Sequence, residues 1–338
     1  MNVTISSKTV NNITFDIIAI KNDINFEVKL INYGAKILSI KYLDNKGKIS
    51  SVLNCPKDLS YVLSYTNNYG STIGPVAGRI KNGEFISRDI HYEFEKNEKG
   101  NCLHSAGANF GFKIFYYKIR QDKEKTTVTF LCKHKHGDSG FPGNIEANIS
   151  YIIYSKSKAF DIAFDAKTDR KSFISLTNHM YFNLNGGVKP IYNHQLYLRS
   201  HQCYSMNDDL TLIQLEGAPD FLNFSKEHTL DVIKNPLIYN KQEHGIDHVF
   251  ELDDINLNVP SAILYDPDTE RKLTLFTNYP AIVVYTDNYP GHVLNAANRM
   301  NDENFGITLE TVIPTLDLNS LTFDKNKQYH FITKYLFD

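Results

Sequence analysis

Alternation of side chains with a period of two runs through most of this chain, and it leaves little room for anything but sheet. Ile37–Tyr42, Phe112–Arg120, Thr126–Cys132, Ile145–Tyr154 and Phe160–Asp165 either alternate or run apolar with β-branched and aromatic residues. Leu196–Leu198, Lys272–Thr277, Ala281–Thr286 and Gln328–Leu336 do the same. Residues two apart share one face of a strand, so each run buries one face and leaves the other polar. The 21 Tyr and 21 Phe fit broad pleated surfaces better than helices. Turn chemistry separates the runs: Asn82-Gly83, Asn185-Gly186-Gly187, and Asp266-Pro267-Asp268, which reads as a hairpin loop before Arg271. Helical signals are short. Ser225–Lys234 starts on a possible Ser N-cap and stops before Pro236, and Lys57–Tyr65 has room for one or two turns. No helix–strand rhythm, polar linker or internal repeat divides the chain. The expected architecture is all-β, one large antiparallel β-sandwich spanning residues 1–338 with few short helices.

Charge and cysteine usage exclude several classes of function. Lys plus Arg number 36 against 38 for Asp plus Glu, a formal net charge of -2, so no electrostatic case exists for nucleic acid or an anionic membrane. Cys55, Cys102, Cys132 and Cys203 are scattered without a C-x-x-C pair, which argues against a zinc ribbon or a disulfide framework. Met1–Asn12 has no basic segment followed by an apolar core, and no apolar run approaches the roughly 20 residues that span a bilayer. A cytoplasmic protein is the expectation.

His179, within Thr177–Leu184, and Glu310, within Gly306–Pro314, place ionisable groups inside runs that otherwise read as strand. A charge there needs a partner or a task. Taken singly, each is more often a satisfied, half-buried polar residue. Together, a carboxylate and an imidazole are the groups that general acid–base chemistry requires. Cys132, His134 and His136 lie on one face of a run, but two lysines interleave and a further ligand is lacking, so no metal is expected. Gly186-Gly187 is a turn and not a phosphate cradle, because no helix follows it.

Five segments, Asn101–Phe115, His136–Ile145, Thr177–Leu184, Gly245–Phe250 and Gly306–Pro314, occur in the order found in aldose 1-epimerases, also called galactose mutarotases. From about Gly74 to the C-terminus the chain resembles that family. The resemblance implies a many-stranded sandwich with a sugar site on an open concave face, and anomer interconversion without cofactor or metal. It places the catalytic base at Glu310 and the acid that serves the ring oxygen at His179. Substrate-binding positions fall on Arg79, His104 and Asp247. The partner implied is a small sugar; monomer and homodimer both stay open. Several residues depart from the family pattern. Its G-R-x-A-N-R-I run reads Gly74–Ile80 here, with Pro75 and Gly78 in place of an arginine and an asparagine. L-H-G-G becomes Leu103–Ala106, Val283 stands where many members have glutamine, and Val312 follows Leu309-Glu310-Thr311.

Other readings remain open beside the epimerase. One is a catalytically weak or inactive carbohydrate-binding protein of the same fold. Another is a glycoside hydrolase or lyase that uses Asp247 and Glu310 as its two carboxylates. A third is an epimerase acting on a phosphorylated or less common sugar. For the epimerase, ordinary pKa values predict a rate that rises as Glu310 ionises and falls as His179 loses its proton.

Overall fold

The computed structural model describes residues 1–64, 67–87, 90–238 and 244–338. Its long alternating runs are strands in three large sheets. The first sheet is built in chain order from Asn2–Val10, Ile13–Lys21, Glu27–Ile31, Ile37–Leu43 and Ile49–Ser51. The second has nine strands: Tyr116–Gln121, Lys125–His134, Ile145–Tyr154, Ala159–Thr168, Tyr329–Phe337, Arg271–Thr277, Ala262–Asp266, Gln195–Leu198 and His228–Thr229. Every ladder in it is antiparallel, and the C-terminal strand enters its middle. The third sheet orders Leu212–Gly217, Gln202–Met206, Asp247–Glu251, Ala281–Tyr285 and Thr308–Val312. This is the large antiparallel β-sandwich that the alternation predicts.

The sheets share one core. Phe26 and Tyr42 of the first sheet meet Phe337 of the second with ring centroids 5.8 and 5.6 Å apart. The Tyr151 hydroxyl crosses between them to donate to the Ala35 carbonyl at 2.7 Å. The third sheet is joined to the second through the hydroxyls of Thr311 and Thr333, 2.8 Å apart. Arg271, 1% exposed, donates to the Ser50 hydroxyl and to the carbonyls of Leu184 and Tyr42. Its charge thus rests on oxygen acceptors at the junction of the first two sheets.

Two local expectations give way to tertiary pairing. Ser225 does not cap a helix: its hydroxyl donates to Asn223 Oδ1 in a turn. His228–Thr229 then pairs with Leu196 and Gln195 at the edge of the long sheet, and only Leu230–Lys234 winds, as a 3-10 helix. Sheet pairing outbids the weak helix propensity of a segment carrying Thr229, Val232 and Ile233. The run Phe112–Arg120 also starts late. Phe110–Phe112 is a 3-10 turn, with Asn109 Oδ1 accepting from the Gly111 N–H, and the strand begins at Tyr116. Leu59–Val62 forms one helical turn capped by Asp58; Tyr65 lies outside the described residues. Asp266-Pro267-Asp268 does join two adjacent antiparallel strands.

Candidate active site

Sheet register decides which residues of the third sheet share a face. Asp247 lies opposite Tyr285, Tyr285 opposite Thr308, and Val283 between Val249 and Glu310. Asp247, Val249, Val283, Tyr285, Glu310 and Val312 therefore project together, while Phe250, Ile282, Val284 and Leu309 enter the core. The first group lines a cavity of about 370 Å³. Arg79, His104 and His179 line it too, so all five candidate residues meet in one place.

His179 reaches this wall from a different segment. It follows the two-residue strand Thr177–Asn178; its N–H donates to Ser71 O at 2.8 Å and its carbonyl accepts from Gly70 N at 2.9 Å. Further on, Phe182 and Ile307 exchange backbone bonds of 2.7 and 3.0 Å, tying the histidine segment to the strand that carries Glu310. Gly70 has φ +66°, and a Cβ there would overlap the Ile37 carbonyl. Gly70→Ala should therefore cost roughly 2–4 kcal/mol of stability and loosen His179 as well. Urea unfolding measures this; a loss below about 0.5 kcal/mol would show that the close approach relaxes freely.

His179 Nε2 lies 3.3 Å from Glu310 Oε1, and the Thr308 hydroxyl donates to the same oxygen at 3.2 Å. The two residues are 5% and 3% exposed, too dry to hold two separate charges cheaply. Burial, with the Asp247 charge adding to it, pushes the Glu310 carboxyl up to about 8. Burial, with the Lys36 charge behind it, pulls His179 down to about 3. Lys36 is itself fully buried, donates to Ser71 Oγ, and is drawn down to about 7 by desolvation. Near neutral pH the pair thus holds one proton, on Glu310.

Arg79 turns its fork on the protein itself. Nε and one terminal nitrogen donate to Glu98 at 2.8 and 2.9 Å, and the other terminal nitrogen is 3.6 Å from Asp247 Oδ2. It holds two carboxylates in place more than it offers donors to a guest. Burial raises the Asp247 carboxyl and Arg79 partly offsets that. His104 sits at φ +51°, bracketed by Gly78: its N–H donates to Gly78 O at 3.0 Å and its Nδ1 accepts from Gly78 N at 3.2 Å. Accepting at Nδ1 puts the proton of the neutral ring on Nε2. Burial first, then the neighbouring His179 and Arg79, keep that ring neutral, well below its ordinary pKa. A neutral donor, a paired carboxylate and a one-proton acid–base couple face one space.

The sequence pattern of aldose 1-epimerases matches residues 16–335, nearly the whole chain. The chain belongs to the aldose 1-epimerase family. Galactose mutarotase of Rattus norvegicus is 24% identical over 286 residues, covering 84% of this chain and 81% of the relative. Aldose 1-epimerase of Haemophilus influenzae is 26% identical over 314 residues, covering 88% and 86%. Among solved structures, galactose 1-epimerase from Lactobacillus acidophilus superposes with a TM-score of 0.88 at 21% identity, covering 100% of this chain and 98% of that one. The match begins at residue 16, well before Gly74, and so takes in the first sheet from its second strand onward.

Seen as departures within the aldose 1-epimerase family, Gly78, Val283 and Val312 have distinct consequences. Gly78 has φ +89° and spends both its backbone groups on His104. Val283 and Val312 give the cavity an apolar wall with Ala77 and Val249. Three further lining residues escaped the sequence reading. Glu98 stands in Lys96-Asn97-Glu98-Lys99-Gly100, Tyr69 sits in Asn67-Asn68-Tyr69-Gly70, and Asp287 follows the strand in Asp287-Asn288. Each lies in a stretch whose composition says only loop.

Proposed function

We propose that this chain interconverts the α and β anomers of a free aldose, with Glu310 and His179 exchanging the two protons. The contact of 3.3 Å between His179 Nε2 and Glu310 Oε1 on the wall of one cavity carries this reading. Ring opening needs the pair as carboxylate and imidazolium, a tautomer of its resting form that one proton transfer along the contact supplies. Glu310 takes the proton from the C1 hydroxyl as the C1–O5 electron pair moves to O5, where His179 delivers its proton. The open aldehyde then faces a neutral imidazole and a neutral carboxylic acid, the form that burial favours. Rotation about C1–C2 presents the other face. Closure returns the O5 proton to His179 and the Glu310 proton to O1, so no proton is gained or lost.

Charge favours an unphosphorylated substrate. Four carboxylates, Glu98, Asp247, Asp287 and Glu310, line the cavity against Arg79 and Lys99, and Arg79 is engaged by two of them. Lys113 is drawn off to Asp138 at 3.1 Å. A phosphate would find Arg79 already committed to Glu98 and Asp247, and no cluster of cations among the described residues to receive it. Polarimetry on freshly dissolved α-glucose and α-galactose is the direct test, with an approach to equilibrium well above the buffer rate expected for at least one. If neither sugar is accelerated while both bind, a carbohydrate-binding protein is the better description.

A further inference from the structure

Three of the four cavity carboxylates face a basic group: Glu98 and Asp247 lie against Arg79, and Glu310 against His179. Asp287 does not. Among the described residues it forms no ion pair, and its side chain accepts from the Asn54 amide at 3.2 Å, the Tyr69 hydroxyl at 3.4 Å and the Asn301 side chain. All three donors are neutral, so none supplies the charge that would offset a buried carboxylate. Asp287 is nevertheless 2% exposed and held at φ +51°, the left-handed region that costs a non-glycine residue energy. Burial without a cation raises its carboxyl to about 7.

Four tyrosines surround this group. Ring centroids of Tyr61 and Tyr69 are 6.4 Å apart, those of Tyr69 and Tyr181 4.5 Å, and those of Tyr181 and Tyr285 6.1 Å. Burial raises all four phenols, and the Asp287 charge adds to the rise in each. Aromatic rings gathered at one buried acid suit a cation, since the rings attract positive charge and the acid gains an ionic partner in place of neutral donors alone. A neutral hydroxyl would leave the cost of burying that carboxylate largely unmatched.

We propose that Asp287 and the ring of Tyr61, Tyr69, Tyr181 and Tyr285 form a subsite for a protonated amine, making 2-amino-2-deoxyaldoses substrates of this cavity. The proposal rests on the epimerase reading. Tyr181 links the subsite to the reacting pair: its ring lies 4.9 Å from that of His179 on one side and stands between Tyr69 and Tyr285 on the other. Tyr181 also feels the Glu310 charge, so the subsite adjoins both groups that work at C1, the carbon to which C2 is bonded.

The test compares kcat/KM for mutarotation of glucosamine, glucose and N-acetylglucosamine at about pH 7, where most of the free amine is charged and about half of Asp287 is ionised. Wild type should favour glucosamine over glucose about tenfold, with no such gain for the uncharged N-acetyl sugar. Asp287→Asn should lower the glucosamine-to-glucose ratio by the same factor. A ratio near one in wild type, or equal losses on both sugars in the variant, would overturn the proposal, because the carboxylate would then be serving hydroxyls. If Asp287→Asn does not fold, the wild-type ratio alone decides. If no sugar is turned over, the epimerase reading fails, and calorimetric titration with glucosamine against glucose judges the subsite: tighter binding of the amine sustains it and equal affinity rejects it.

Discussion

Glu310→Gln and His179→Asn should each lower kcat for mutarotation by roughly 10²–10⁴-fold, leaving little above the spontaneous rate. Both replacements keep size and some hydrogen-bonding capacity but remove the ability to carry a proton between C1–OH and O5. The double variant should be no slower than the worse single one, because the two groups share a single proton and act as a unit. Folding is not expected to suffer. The pair is 3–5% exposed, and a glutamine or asparagine there relieves the cost of burying ionisable groups. Circular dichroism and urea midpoints verify that the variants are folded, and polarimetry then reads the activity. A Glu310→Gln variant retaining more than about a tenth of wild-type kcat would remove Glu310 from the proton path.

Legibility in the sequence followed how local the signal was. Ile145–Tyr154 and the strands over 271–277 and 281–285 were plain, because each alternates or runs apolar long enough to fix its own period. The convergence of His179 with Glu310 was not, since residues 131 positions apart meet through long-range pairings such as Phe182 with Ile307 and Ser175 with Ile313. The family motifs brought these two residues, with Arg79, His104 and Asp247, into view. They carried no information on pairing, so Arg79 stood as a binding position without named partners, and Glu98 and Asp247 are the carboxylates it engages. Asp287 was invisible for a physical reason. An Asp-Asn after a strand is ordinary turn chemistry, and only the surrounding tyrosines, drawn from Tyr61 to Tyr285, reveal its burial. Ser225–Lys234 failed in the opposite sense: a credible local cap lost to pairing at a sheet edge formed by Gln195 and Leu196.

A second large effect lies in the pH dependence, where burial reverses the assignments that ordinary pKa values suggest. kcat/KM reports the free enzyme. There Glu310 is raised to about 8 and His179 lowered to about 3, each chiefly by desolvation. The competent pair holds one proton in total. As pH rises through about 8, Glu310 loses that proton and no acid is left for O5, so kcat/KM should fall about tenfold per further unit. As pH falls through about 3, His179 takes up a second proton and no base is left for the C1 hydroxyl. The alkaline limb thus belongs to Glu310 and the acidic limb to His179, opposite to the expectation from unshifted groups, and a plateau should extend across pH 5 to 7. Lys36→Met supplies an internal control. Removing the charge that helps depress His179 should move the acidic limb upward and leave the alkaline limb almost in place, because Asp247 and burial set the latter. An alkaline limb near the ordinary histidine value in wild type would mean that His179 is hydrated during turnover, and the one-proton account of the pair would have to be abandoned.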